Sequence, residues 1–187
     1  MSWAVWITGR PGSGKSTLAR QVAEVLRKRG ETVVVLDATE LSSALVPGRG
    51  PSPREQDLVH RALVHTASTL IQSGIPVIID ATAHRRAWRD LARETIHTFA
   101  EVQLVCRDEV CGAREQATRW NRMATGSVGR APAEPEVVLD YEYSLRADLT
   151  VDTEAQHVWT AVEEVLLLVE RLRRSAQSRA GIGDQPS

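Results

Sequence analysis

The sequence is poor in cysteine and phenylalanine and has no long apolar run. Of its 187 residues, 2 are cysteine and 1 is phenylalanine. Cys106 and Cys111 are too few for a disulfide framework and lack the further ligands of a zinc site, so both are expected to be structural. The longest apolar run, Val165 to Val169, is far too short to span a bilayer. These absences exclude a disulfide-stabilised scaffold, a zinc module and a transmembrane protein.

An excess of one charge is also missing, because the formal net charge is −1. Neither nucleic acid nor an anionic membrane is therefore expected as a partner. The N-terminal segment is typical of a core strand rather than a signal peptide, which predicts a cytoplasmic protein. The length suits a single domain, predicted over residues 1–175 and followed by a disordered tail at 176–187. The sequence leaves open whether the chain forms a homodimer.

What is present, close to the N-terminus, is a phosphate-binding motif. Residues 9–16, Gly-Arg-Pro-Gly-Ser-Gly-Lys-Ser, fit the pattern G-x-x-x-x-G-K-[ST] at every fixed position. A short apolar strand is predicted before the motif and a helix after it, over Thr17–Arg29, which makes a glycine-rich turn that binds nothing the weaker interpretation. Glycines allow backbone N–H groups to close around a phosphate, and the helix start adds its positive dipole. The residues predicted to bind the nucleotide are Gly9, Gly12, Ser13, Gly14, Lys15, Ser16 and Thr17.

Two further apolar segments end in aspartate and predict buried parallel strands. They are Val33–Asp37 and Ile75–Asp80. Ligands of open parallel sheets bind at the carboxyl ends of the strands, so both carboxylates are expected beside the phosphate-binding loop. Asp80 is the better candidate for the Mg²⁺ side, together with Ser16. The alternatives are a helix N-cap at Asp37 and a purely structural carboxylate at Asp80.

Helices and strands alternate along the remaining chain. They are predicted at Arg54–Ser73, Glu101–Cys106, Val110–Asn121, Asp148–Asp152 and Ala155–Arg174. In the first of these helices the predicted apolar stripe runs from Leu58 to Ile71, and His60 is interpreted as a surface or packing residue. A glycine- and proline-rich stretch at 124–135 predicts a lid. This order predicts an α/β, three-layer P-loop NTPase fold of the nucleoside-kinase-like type with a five-stranded parallel sheet.

A phosphate-binding loop by itself does not distinguish a kinase from a GTP-driven switch or a motor ATPase. The compact chain, its arginines beside the predicted lid and the lack of an Asn-Lys-x-Asp motif favour a kinase. Its cofactors are then ATP and Mg²⁺, with Lys15 on the transferred phosphate. Arg86 and a lid arginine, Arg119 or Arg122, are predicted to stabilise the charge that develops on that phosphate.

Several of these segments resemble the adenylyl-sulfate kinase family. The loop, the Leu36-Asp37 strand end and the strand from Gly74 to Asp80 with Arg86 after it are similar to the family. So is Tyr141-Glu142 followed by residues 148–153, Asp-Leu-Thr-Val-Asp-Thr, at the family spacing. The resemblance covers nearly the whole chain to about Thr153. It implies transfer of the γ-phosphate of ATP to a hydroxyl, which in the family is the 3′-hydroxyl of adenylyl sulfate.

Departures from the family pattern fall on the acceptor side. Where the family reads Asp-Gly-Asp-Asn-x-Arg, residues 37–42 read Asp-Ala-Thr-Glu-Leu-Ser, so the base and the arginine of the family are both replaced. Gln56 and Val59 occupy the positions of an acceptor-binding Arg and Asn, and Ala83 replaces a serine. The phenylalanines that sandwich the acceptor adenine have no counterpart, because the single Phe99 lies elsewhere.

The leading hypothesis is therefore an ATP-dependent phosphotransferase that acts on a hydroxyl of a different small molecule. Asp80 is assigned to the metal and Asp37 to the acceptor hydroxyl. One alternative is a genuine adenylyl-sulfate kinase. Another, of a different class, is a regulator that binds ATP without transferring its phosphate.

Overall fold

The computed structural model describes residues 2–47, 52–124 and 140–182, except for the side chains of residues 119, 122–124 and 178–182. Its strands are β1 Ala4–Gly9, β2 Val34–Asp37, β3 Val77–Asp80, β4 Phe99–Val105 and β5 Leu149–Asp152. Its helices are α1 Lys15–Lys28, α2 Ala38–Leu45, α3 Pro53–Gln72, α4 Arg86–Thr95, α5 Asp108–Ala124 and α6 Val158–Ile182. None of the helices within these ranges is long and apolar enough to cross a membrane.

The five strands form one sheet in the order β2-β3-β1-β4-β5, and every neighbouring pair is parallel. All carboxyl ends therefore lie at one edge, and β1 brings the phosphate-binding loop to the middle of that edge. Alternate side chains of β1 point to opposite faces of the sheet and so belong to two separate cores. Val5 and Ile7 pack with α1 and α6, whereas Ala4 and Trp6 pack with α3 and α4. This three-layer arrangement confirms the predicted fold class.

Helix α3 differs from its predicted packing. It begins with a capping box between Ser52 and Glu55. Its buried positions are Val59, His60, Leu63, Val64, Ala67 and Ser68. The prediction that Leu58 belongs to the buried stripe was wrong, since its side chain is 58% exposed. The buried stripe is shifted by one position because it includes His60, a polar residue that a search for apolar spacing passes over.

Three other features were not anticipated. Helix α2 was missed, because Pro47 and the following prolines and glycines masked the short helical segment before them. Helix α6 continues beyond the predicted end at Arg174 to Ile182, so the expected tail begins inside a helix, and residues 183–187 lie outside the described part. One disulfide joins Cys106 to Cys111 across the β4–α5 connection.

Candidate active site

The phosphate-binding loop connects β1 to α1 as predicted. Gly12 and Gly14 have φ of 78° and 99°, in the left-handed region that glycine reaches without strain. Lys15 is the first residue of α1 and is 8% exposed, and its Nζ donates to the Arg10 carbonyl at 2.9 Å. Ser13 is buried, and its Oγ has no hydrogen-bond partner among the described residues. These conformations turn the loop backbone around a space that suits a phosphate.

The start of α5 supports this loop from outside. A Cβ on Gly12 would lie 2.0 Å from the Cys111 carbonyl oxygen, so only glycine fits against that backbone. Arg10 also pairs with Asp108 on the first turn of α5. The first turn of α5, to which the disulfide is attached at Cys111, therefore packs directly against the loop.

Asp80 lies beside the loop, at the end of β3. Its carboxylate is a hydrogen-bond partner of Ser16. Burial raises the pKa of Asp80, the bond to Ser16 opposes that rise, and the nearby Asp37 carboxylate adds to it. A carboxylate and a hydroxyl are the hard oxygen ligands that Mg²⁺ prefers, so these two residues fit the metal that a bound nucleotide would bring.

Asp37 is directly in register with Asp80 on the neighbouring strand. Its Oδ1 accepts from the amides of Thr39 and Glu40, at 2.7 and 3.2 Å, and so caps α2. The capping role that the sequence left open is therefore present. Both bonds use Oδ1, which leaves Oδ2 available to a hydroxyl at the same edge.

The β3–α4 turn, residues 81–85, forms the next part of this edge. Ala83 has φ of 44°, and it is the only described residue other than glycine with a positive φ. A left-handed alanine is strained and persists only where surrounding contacts hold it. Thr8 provides one such contact, donating its Oγ1 to the Thr82 carbonyl at 2.6 Å. Since Thr8 directly precedes Gly9, the turn and the phosphate-binding loop are linked.

A cluster of stacked rings lies between α3 and this turn, and the sequence analysis missed it. The rings of His60 and Trp88 stack at 3.7 Å, and His84 contacts Trp88 edge-on at 4.8 Å. Burial lowers the pKa of His60 to about 4, and burial also lowers the pKa of His84. Two buried atoms, His84 Nε2 and Gln56 Oε1, have no hydrogen-bond partner among the described residues. The sequence contains one indication that His84 is functional, because it directly precedes two arginines after a strand end. Its burial could not be predicted, since that depends on packing against Trp88.

The predicted arginines are not brought to the loop by any described contact. Arg86 donates its backbone N–H to Glu142 at 2.7 Å and lines a surface depression with Asp90 and Leu145. The side chains of Arg119 and Arg122 lie outside the described part, and so does the predicted lid, apart from the backbone of its first residue. Their roles stay predictions.

A phosphate-binding loop after the central strand of a parallel sheet, with a carboxylate beside its serine, defines a P-loop nucleotide-binding protein. The family model described as adenylylsulphate kinase matches residues 1–152. The chain therefore belongs to the adenylylsulphate kinase family. It is a phosphotransferase that acts on an alcohol group.

Individual relatives agree with this assignment. A probable adenylyl-sulfate kinase of Archaeoglobus fulgidus is 34% identical over 149 residues, which cover 75% of this chain and 96% of that protein. The adenylyl-sulfate kinase of Rippkaea orientalis is 29% identical over 167 residues, covering 86% and 91%. The APS kinase of Mycobacterium tuberculosis, solved in complex with AMPPNP and APS, has a TM-score of 0.72 at 26% identity over 90% of this chain and 98% of that one.

Proposed function

We propose that this kinase uses ATP and Mg²⁺ to phosphorylate a hydroxyl of a small molecule other than adenylyl sulfate. The observation that carries the proposal is the position of Phe99, the one phenylalanine of the chain. It begins β4, at the edge of the sheet opposite the phosphate-binding loop, and is 7% exposed in the core. Val59, which stands where the family has an acceptor-binding Asn, is also buried and is 3% exposed. Neither residue is available to an adenine at the carboxyl edge.

The donor side keeps the parts that phosphoryl transfer needs. Loop amides and Lys15 hold the phosphates, and Ser16 with Asp80 holds the metal. A metal held by these two residues would supply positive charge to offset the charge that develops on the transferred phosphate. Asp37 accepts a hydrogen bond from the attacking hydroxyl through Oδ2 and orients it.

Adenylyl sulfate itself is the second candidate. Membership of the family and the 34% identity to a probable adenylyl-sulfate kinase favour it. For adenylyl sulfate to be the acceptor, its adenine would have to bind without two phenylalanine rings stacked on its faces. A base-stacking contact contributes about 1–3 kcal/mol, so the loss of two would lower affinity by roughly one to four orders of magnitude.

A panel of acceptors tests the proposal. ADP release is measured with ATP and Mg²⁺ against hydroxylated metabolites, with adenylyl sulfate in the same panel. The proposal expects another acceptor to exceed adenylyl sulfate in kcat/KM by at least tenfold. Adenylyl sulfate as the best acceptor would establish the second candidate instead. ATP binding without acceptor-dependent ADP release would support the regulator and overturn both.

A further inference from the structure

A buried ion pair connects α4 to β4. Arg89 is 0% exposed, and its Nε lies 2.8 Å from Glu101 Oε1. Two charges without access to water are costly to bury, and additional hydrogen bonds are needed to offset that cost. Nη1 donates to the Ala83 carbonyl and Nη2 to the Glu142 carbonyl, and these bonds offset part of that cost. Nε and Glu101 Oε1 interact as charges without a hydrogen bond. The guanidinium also lies over the Tyr141 ring, at 5.2 Å.

The two carbonyls belong to segments that are distant in sequence. Ala83 is the strained residue of the β3–α4 turn, and Glu142 lies in the segment 140–144. One other bond joins the same segments, since Glu142 N–H donates to the His84 carbonyl at 2.9 Å. The segment 140–144 is also bonded to β1, because Tyr141 OH lies 3.0 Å from Thr8 Oγ1. One planar guanidinium thus connects both segments to β4, which a flexible ammonium cannot do with the same geometry.

This turn directly follows Asp80. It lies at the carboxyl edge of the sheet, here called the catalytic edge, on the opposite side of β1 from α5. It carries His84, whose buried Nε2 has no partner among the described residues. Such atoms are uncommon in folded proteins and need an explanation. An imidazole kept without a partner at this edge is suited to a polar ligand group that reaches the turn.

We propose that Arg89 is a positioning residue for the acceptor: it holds the β3–α4 turn and the segment 140–144 in the geometry that receives the acceptor hydroxyl. This inference rests on the proposed function, because it needs the acceptor hydroxyl at Asp37, whose neighbour in register, Asp80, leads directly into the turn. Arg89 acts through the backbone carbonyls and does not contact the reacting atoms. Among the described contacts Arg89 does not touch the phosphate-binding loop, which packs against α5, so ATP affinity is expected to depend on Arg89 much less than acceptor turnover does.

Arg89→Lys tests the inference. Lysine keeps a positive charge beside Glu101 but lacks the two terminal nitrogens that bond to the carbonyls of Ala83 and Glu142. With the best acceptor of the panel, kcat/KM for the acceptor is expected to fall about 10- to 100-fold. The Kd of ATP is expected to change less than about twofold. Arg93→Lys is the matched control, since Arg93 lies one turn later and reaches Glu101 and Asp148 without bonding to the turn. Its acceptor kinetics should stay close to those of the wild type.

A second variant tests the inference if Arg89→Lys folds poorly. Arg89→Met combined with Glu101→Leu removes both charges, so neither is left buried alone. It should show the same loss in acceptor kcat/KM with unchanged ATP binding. Equal losses for ATP and acceptor, or acceptor kinetics like those of the wild type, would overturn the inference and leave the proposed function intact. A wild type that turns over no acceptor would instead overturn the proposed function, and this inference with it.

Discussion

The donor and acceptor sides of the catalytic edge are built in different ways. On the donor side, one continuous stretch of sequence makes the phosphate-binding loop, and its glycines set the backbone conformation directly. On the acceptor side, the strained turn at Ala83 is held by Thr8, Arg89 and Glu142 from three other parts of the chain. We therefore expect a local motif to tolerate changes elsewhere, whereas a site assembled from several segments can be altered one contact at a time.

Lys15→Ala tests the donor side and should have the largest effect. Removing the Lys15 ammonium, which we propose to contact the transferred phosphate, is expected to lower kcat by more than about 10⁴-fold. ADP release with the best acceptor measures it. Lys28→Ala is the control, because Lys28 lies on the same helix and pairs at the surface with Glu24. A Lys15 variant with near-normal turnover would contradict the donor assignment.

Asp37→Asn separates the orienting acid from the helix cap. Asparagine caps a helix as well as aspartate does, so α2 and the thermal midpoint should be retained. Loss of an orienting carboxylate is expected to lower kcat by about 10²–10⁴-fold. The Mg²⁺ dependence should not change. If it shifts while Asp80→Asn leaves it alone, the two aspartates exchange roles.

Asp80→Asn should act through the metal. The Mg²⁺ concentration for half-maximal rate is expected to rise about tenfold or more. Because burial raises the pKa of Asp80, the wild type should lose Mg²⁺ affinity on acidification at a higher pH than an exposed aspartate would. The variant should lack that pH dependence. A titration of rate against Mg²⁺ at several pH values measures both effects.

His84→Ala probes the acceptor side with a smaller effect. If Nε2 bonds to the acceptor, kcat/KM for the acceptor should fall by about two- to tenfold, the value of one neutral hydrogen bond. The ATP Kd should not change. His65→Ala, an exposed histidine of α3, serves as the control. Equal acceptor kinetics in the two variants would contradict a role for His84.

The last expected effect is on stability rather than on activity, and it arises from the ring cluster beneath the turn. His60 has a pKa of about 4 in the folded state and about 6.5 when unfolded, so only the unfolded state takes up its proton between these values. Stability should therefore decrease as the pH falls from 6.5 to 4, by about 3 kcal/mol from this group. His84 lowers and Asp57 raises the pKa of His60. Urea unfolding of His60→Phe should show a shallower dependence; an unchanged slope would contradict it.

Residues close in sequence account for most of what could be predicted. The strand-loop-helix arrangement, both aspartate strand ends and the parallel sheet follow from short apolar runs and turn residues. The stripe of α3 could not be predicted, because His60 is buried only by stacking on Trp88 from another helix. Arg89 carried no local signal either, since its partners Glu101 and Glu142 are far along the chain.

The sequence alone determined the class of fold and the conformation of the phosphate-binding loop, because glycine conformations and helix starts depend on neighbouring residues. Tertiary structure decided the rest. Only the strand order placed Asp37 in register with Asp80, and only packing buried Arg89 beneath the turn at Ala83. Burial and long-range hydrogen bonds depend on which segments meet, and a one-dimensional pattern does not contain that information.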